Sequence, residues 1–276
     1  MTTQEFVEQI KKILLNQGNQ SDNGHPDPSI RLFNDAFLHL IETNPDVYNF
    51  VISIHEDRNH LNPDHFVFLI SRSAQFILRK NNCSDYMNYS VLDWEKLILE
   101  LIQNDNYRKL LLTKHNTSTQ PRVRYRSLAA LIGLAKNKVN IIDLGCSLNL
   151  GLTCLLESNV DCNDLEDFTV DSLVCNTLSN NYAQYIENAT GIDIIDPFAD
   201  IEWTKACEYM TNYAQHSQDL DQDILLRNKL FQSQKLSTLQ ADITQSNIGL
   251  QLKDKISSTN LNIVNASMFL YQLTEI

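Results

Sequence analysis

The sequence predicts an α/β protein, a helical N-terminal region followed by a parallel sheet, and three observations carry that prediction. Up to about residue 136 the apolar residues recur at helical spacing with no chemical motif among them. Beyond it, short apolar runs ending in an acid alternate with helical stretches, the pattern of parallel strands and crossovers. At the join stands Val139-Asn140-Ile141-Ile142-Asp143-Leu144-Gly145-Cys146-Ser147-Leu148-Asn149-Leu150-Gly151. An apolar run meets Asp143, then turns through Gly145 into a new apolar segment. Two of the chain's seven glycines fall here, so the bend is specified. The expected division is therefore 1–136, a helical cap, and 137–276, the sheet-bearing domain.

Composition narrows the class. With 276 residues and 43% apolar content the chain can bury one large core or two ordinary ones. No apolar run reaches the length of a membrane span, and Met1 to Gln9 lacks a secretory pattern. The net charge of −12 argues against a nucleic-acid partner, which would need a dense cationic surface. One small basic run, Arg122-Val123-Arg124-Tyr125-Arg126, stands apart. Six cysteines (Cys83, Cys146, Cys154, Cys162, Cys175 and Cys207) show no C-x-x-C pair and read as free thiols of a reducing cytoplasm. The expected setting is cytoplasmic, without a membrane partner.

The helical half reads in order. Phe6, Ile10, Ile13 and Leu14 share one face of a first helix, and the polar 16–29 stretch reads as a loop. Phe33, Phe37, Leu40 and Ile41 mark a second helix, and Pro45 opens a third through Val47, Phe50, Val51 and Ile54. Asn62-Pro63 is an N-cap followed by proline at the first helical position, starting a long helix to about Leu78. Trp94, Leu97, Ile98 and Leu101 lie on a fifth, and a short sixth centres on Leu110. His55-Glu56-Asp57-Arg58-Asn59-His60 resembles a zinc helix only at a glance. Its histidines are five apart and point about 140° away from each other on a helix, so no metal site is expected. These residues read as exposed and polar. Arg124 to Ala135 is the helix that leads into the Asp143 strand.

In the second half, Leu148 to Glu157 can wind as a helix after the glycine turn. Thr169 to Cys175, Gly191 to Asp196, Thr238 to Ile243 and Leu261 to Ala266 read as strands. Helices are expected at Ile201 to Tyr213, Leu220 to Phe231 and from Ser267. Three strand ends carry acids: Asp143, Asp193 and Asp242. A parallel sheet would present all three at one edge, where open α/β sheets bind ligands. The turn after the first strand should offer backbone N–H groups there.

The turn also selects among ligands. A dinucleotide fingerprint runs G-x-G-x-x-G, but here the spacing is D-L-G-x-S-x-N, with Asn149 in place of a further glycine. A strand-end carboxylate suits an amino group or ribose hydroxyls better than phosphates, which weakens a nicotinamide reading. Cys146 as a nucleophile would need a histidine nearby, and none is near in sequence.

The spacing D/E-x-G-x-S/G-x-G resembles the first motif of class I methyltransferases. The order of segments resembles the bacterial domain-of-unknown-function family 2332, methyltransferase-like behind a helical region. The family's E-V-G-A-S-A-G-L-N-L is met by Asp143 to Leu152, and its G-x-D-x-x-P and W-L-x-A by Gly191, Asp193, Pro197, Trp203 and Ala206. Its G-D-A is met by Ala241-Asp242-Ile243, its F-H-T-x-V-L-x-Y-L by Val264 to Gln272, and an upstream arginine by Arg126. The resemblance implies a Rossmann-like sheet that binds S-adenosylmethionine under a helical lid. It implies Asp143, Gly145, Cys146, Ser147, Asn149, Asp193 and Asp242 as cofactor residues. Asp143, Asp193 and Asp242 would face the methionine amine, the ribose and the adenine in turn. Arg126 and Asn265 would lie on the side of a small-molecule or protein substrate. Catalytic residues stay unassigned. Asn149 for glycine and Asn265 for histidine depart from the pattern, which keeps open a non-catalytic binding or interaction module on the same fold.

The methyltransferase pattern has three further strands after the one at Leu261, and ten residues follow Ala266. Each crossover needs about a dozen residues or more. The expectation is a sheet of about four or five strands, incomplete at the C-terminus, with an open edge that favours self-association. Light scattering after size exclusion should then give a mass above that of one chain. A well-behaved monomer near 31.7 kDa would contradict the expectation.

Overall fold

The computed structural model describes residues 1–19, 28–83, 85–115, 125–158, 181–194, 196, 198, 201–208, 214–242, 250, 253 and 261–266. Contacts group the chain into two compact units, Met1–Thr117 with Glu202–Ala214, and Ser118–Ile201 with Gln215–Ile276. The described residues form an α/β protein, with a helical N-terminal region and, among them, a four-stranded, all-parallel sheet.

In the first unit, α1 (Thr3–Asn19), α2 (Pro28–Thr43), α3 (Pro45–Asp57), α4 (Pro63–Lys80), α5 (Val91–Leu101) and α6 (Asp105–Thr113) follow the expected order. Their starts are set by short polar side chains. Asn44 and Asn62 each accept backbone N–H groups ahead of a first-turn proline, and Ser90 forms a reciprocal capping box with Asp93. The apolar faces close on one core that includes Phe6, Phe33, Phe37, Phe66 and Trp94. Trp94 takes edge contacts from Phe33 and Tyr89, each with ring centroids 5.2 Å apart.

In the 55–60 stretch Glu56, Asp57, Asn59 and His60 are exposed as expected, but two residues depart from that reading. His55 is buried and stacks on Phe6 at 4.2 Å. Arg58 is also buried, and its guanidinium donates to the Leu111 and Lys114 carbonyls at 2.7 and 2.8 Å. Arg58 caps the C-terminus of α3 directly after the buried Val47, Val51 and Ile54 face, and from there its side chain reaches the carbonyl end of α6. Trp203, on a helix α9 running Ile201–Glu208, also joins this core, and its indole donates to the His115 carbonyl at 2.9 Å.

In the second unit, α7 (Arg126–Ala135) precedes β1 (Val139–Leu144), and α8 (Leu150–Leu156) follows it. β2 (Ile186–Asp193), α10 (Ala214–Gln232), β3 (Leu236–Gln240) and β4 (Leu261–Asn265) complete the described elements. Ala129 and Ile132 of α7 pack with Val139 and Ile141 of β1 and with Leu152 and Leu155 of α8. The helix before β1 thus shares the sheet's core. β2 begins five residues earlier than its apolar run suggests, because Glu187 and Asn188 are exposed within it. β3 ends at Gln240, so Asp242 lies beyond the strand. The expected strand at Thr169 to Cys175 and the helix from Ser267 fall outside the described residues.

The strand order is β3-β2-β1-β4. Polar pairs mark its register. Asn188 donates to Asn140, Asn140 to Asn262, and Thr190 bonds Ser237 at 2.8 Å, each pair being direct partners across neighbouring strands. Among the described residues no helix is long and apolar enough to cross a membrane.

Candidate functional site

The strand order fixes where a site belongs. From β1 the chain passes to β2 on one side, and β4 lies on the other, so the order reverses between β1 and β4. Crevices at the carboxyl ends of strands flanking such a reversal are where open α/β sheets bind ligands.

At this point the backbone leaves β1 through three left-handed residues, Gly145 (φ 72°), Ser147 (φ 48°) and Asn149 (φ 63°). Glycine suits the first; the other two hold a conformation that side-chain-bearing residues disfavour by about 1 kcal/mol or more each. Hydrogen bonds to β2 hold them. The Gly145 and Cys146 N–H groups donate to the Ile192 carbonyl at 2.8 and 3.4 Å, and Ser147 N–H donates to the Asp193 carboxylate at 2.7 Å. The Asn149 N–H turns back to the Cys146 carbonyl at 2.9 Å. The turn's own N–H groups at Gly145, Cys146, Ser147 and Asn149 are thus engaged by the protein itself, because β2 ends where the turn begins. The first turn of α8 has no side-chain cap.

The Asp143 side chain is 2% exposed. The Tyr125 hydroxyl donates to one carboxyl oxygen, and the Asn265 amide donates to the other at 2.7 Å. Burial pushes this carboxyl up to about 6; the two donors only partly offset it, and the nearby Asp193 charge pushes the same way. Burial likewise drives the Tyr125 hydroxyl and the Cys146 thiol well above their ordinary ranges, with Asp143 adding to each. A thiol held in that state is a poor nucleophile.

Two glycines make this packing possible. A Cβ on Gly151 would stand 1.9 Å from the Tyr125 ring, so the ring lies where a side chain would be. A Cβ on Gly191 would stand 1.6 Å from the Asn149 Oδ1 and 2.6 Å from the Cys146 sulfur. The Asn149 amide is fully buried, and neither its oxygen nor its nitrogen has a hydrogen-bond partner. Such an orphaned amide costs roughly 1–3 kcal/mol.

The structure gathers Asp143, Gly145, Cys146, Ser147, Asn149, Asp193 and Asn265 at the adjoining ends of β1, β2 and β4. Arg126, half-buried, opens α7 next to Tyr125. Asp242 is exposed past the end of β3, two strands and about 10 Å of sheet width from β1. Tyr125 and Arg227 were missed. Arg227 is fully buried on α10, its guanidinium 4.9 Å from the Phe198 ring centre and donating to the Leu148 carbonyl at 3.4 Å. A signal for it exists: Leu220, Ile224, Arg227 and Phe231 share one helical stripe. Tyr125 carries no such signal.

Against a nucleoside bearing an amino group, the fit is divided. Asp193, half-buried at the end of β2, could take hydroxyls; Asp143 could meet an amine only by giving up Tyr125 or Asn265. Among the described residues, no three His, Cys, Asp or Glu side chains are grouped to hold a metal ion. Comparison with protein-family models, curated proteins and solved structures gave no match in any of the three.

The buried carboxyl sets a pH dependence. Unfolded, Asp143 titrates near about 3.9; folded, near about 6, so between these values the native state holds the extra proton. Its contribution to stability is therefore full below about 4 and is lost as pH rises through about 6. The expected loss is on the order of 3 kcal/mol. Urea unfolding of the wild type and Asp143→Asn between these limits should show the wild type losing ground to the variant as pH rises. Parallel profiles would contradict the assignment.

Proposed function

We propose that the sheet-bearing unit is a Rossmann-like, methyltransferase-like domain whose ligand is a nucleoside, S-adenosylmethionine first among the candidates. The observation that carries this reading is the β3-β2-β1-β4 parallel order, with a glycine turn after β1 and carboxylates at or next to the carboxyl ends of β1 and β2, beside the reversal between β1 and β4. Asp193 is the residue suited to ribose hydroxyls, beside Gly145, Cys146 and Ser147. Asp143 is held by Tyr125 and Asn265, and Asp242 would reach only a ligand extended toward β3. Asn265 and Arg126 stand on the substrate side in this reading, with a small molecule or a protein as substrate and the cytoplasm as the setting. The absence of an assigned acid or base is no objection, since methyl transfer to an amine or hydroxyl depends chiefly on positioning.

A second reading has a specific observation behind it. Both oxygens of Asp143 and the Ser147 N–H are engaged within the protein, and the Asn149 amide fills the space above Gly191. A binding or interaction module that has given up catalysis would look this way.

Calorimetry with S-adenosylmethionine and its demethylated product separates the two. Asn149→Gly removes the amide over Gly191 at a position whose φ of 63° suits glycine, so it opens room without straining the turn. The first reading expects heat from both ligands with the wild type and about tenfold tighter binding by Asn149→Gly, roughly 1.4 kcal/mol. No heat from either protein at millimolar ligand would favour the second.

A further inference from the structure

The first unit holds a cavity of about 320 Å³ between the last turns of α4 and one face of α6. That is at the lower end of small-molecule sites, which run from about 300 Å³ upward. Phe76 and Ile77 of α4 and Leu110 of α6 form its apolar wall. Lys80, Lys109 and Lys114 stand around it, and neither an Asp nor a Glu lines it.

This charge arrangement runs against the composition of the chain, which carries 34 acids against 22 basic residues. Three ammonium groups around one cavity repel each other, and ion pairing on a protein surface normally relieves that. Lys80 and Lys109 have no ion-pair partner among the described residues, and Lys114 lies 5.8 Å over the Trp203 ring. Lys80 has a local reason for its place, since a cation in the last turn of α4 complements the carbonyl end of that helix. Lys109 is in mid-helix on α6, four residues after the first-turn Asp105, a spacing that favours the two charges although they form no ion pair. Asn104, the N-cap of α6, also borders the cavity, and its side-chain oxygen accepts the Asn106 and Tyr107 N–H groups. Lys80 and Lys109, with Lys114 beside them and the apolar wall between, suit an anion with a hydrophobic body.

We propose that this cavity binds a small organic anion, a phosphate or carboxylate joined to an aromatic or short acyl group. The anion sits among the lysines and the apolar part lies on Phe76, Ile77 and Leu110. Because Lys80 and Lys109 are exposed, the ammonium contacts are screened by salt.

The test is calorimetry on the full chain with phenyl phosphate, inorganic phosphate, benzoate and phenol. Phenyl phosphate should bind in about 50 mM salt and weaken several-fold in about 500 mM salt. Inorganic phosphate and phenol should each bind at least about tenfold more weakly, a difference of roughly 1.4 kcal/mol. Benzoate binding comparably to phenyl phosphate assigns the site to organic anions at large; weaker benzoate binding assigns it to phosphates. Lys109→Glu should lose about tenfold or more while keeping the helical circular dichroism, with Lys109→Gln intermediate. No heat from phenyl phosphate at millimolar concentration would overturn the proposal. So would inorganic phosphate binding as tightly, or affinity unchanged in both Lys109 variants.

Discussion

The second unit depends on one buried carboxylate. Taking Asp143 out of water is costly unless donors replace that water, and they come from segments 18 and 122 residues away. Tyr125 reaches it from the start of α7, over the bare Cα of Gly151. Asn265 reaches it from the end of β4, where it is also the register partner of Asp143. A single side chain therefore ties the helix before the sheet, the central strand and an edge strand of the described sheet. Beside it a second set of contacts, from Ile192 and Asp193 to the glycine turn, ties β1 to β2. The edge at which a ligand would be recognised is also the edge at which the sheet is locked.

Polar pairs extend the same logic along the strands. A parallel strand made only of Ile, Val and Leu could slide by two residues with little change in its apolar contacts. Here Asn188, Asn140 and Asn262 line up across β2, β1 and β4, and Thr190 meets Ser237 across β2 and β3. A two-residue slip would break these pairs and leave the buried Asn140 amide without its partners, which is the larger penalty. The sheet's register is held by its polar minority.

Much of the fold was legible because it is written in local chemistry. Pro45, Asn62-Pro63 and the apolar stripes located the first six helices, and Asp143-Leu144-Gly145 located the end of β1 and its turn. β2 was harder, because Glu187 and Asn188 are exposed near its start, and the strand read at Gly191 to Asp196 overlaps it only over Gly191–Asp193. Within the candidate site, the cluster around Asp143, Gly145 and Asp193 followed from strand ends sharing one edge. Its state did not. That Tyr125 lies on Gly151, that Asn149 fills the space over Gly191, and that β2 takes up the turn's N–H groups are consequences of packing between distant segments. No spacing in the sequence encodes them. Arg227 shows the intermediate case: it sits on an apolar stripe, where a buried cation could be inferred but its carbonyl partner could not.

The account rests on Asp143 being a buried carboxyl held by Tyr125 and Asn265, and its protonation can be observed directly. Carbon-13 NMR of the aspartate carboxyls, with Asp143 assigned by its absence in Asp143→Asn, follows that one group through a pH titration. A midpoint near about 6, well above the roughly 3.9 of a solvated aspartate, is the result expected. A midpoint at or below about 4 would show the carboxylate charged and open to water, and would contradict the account.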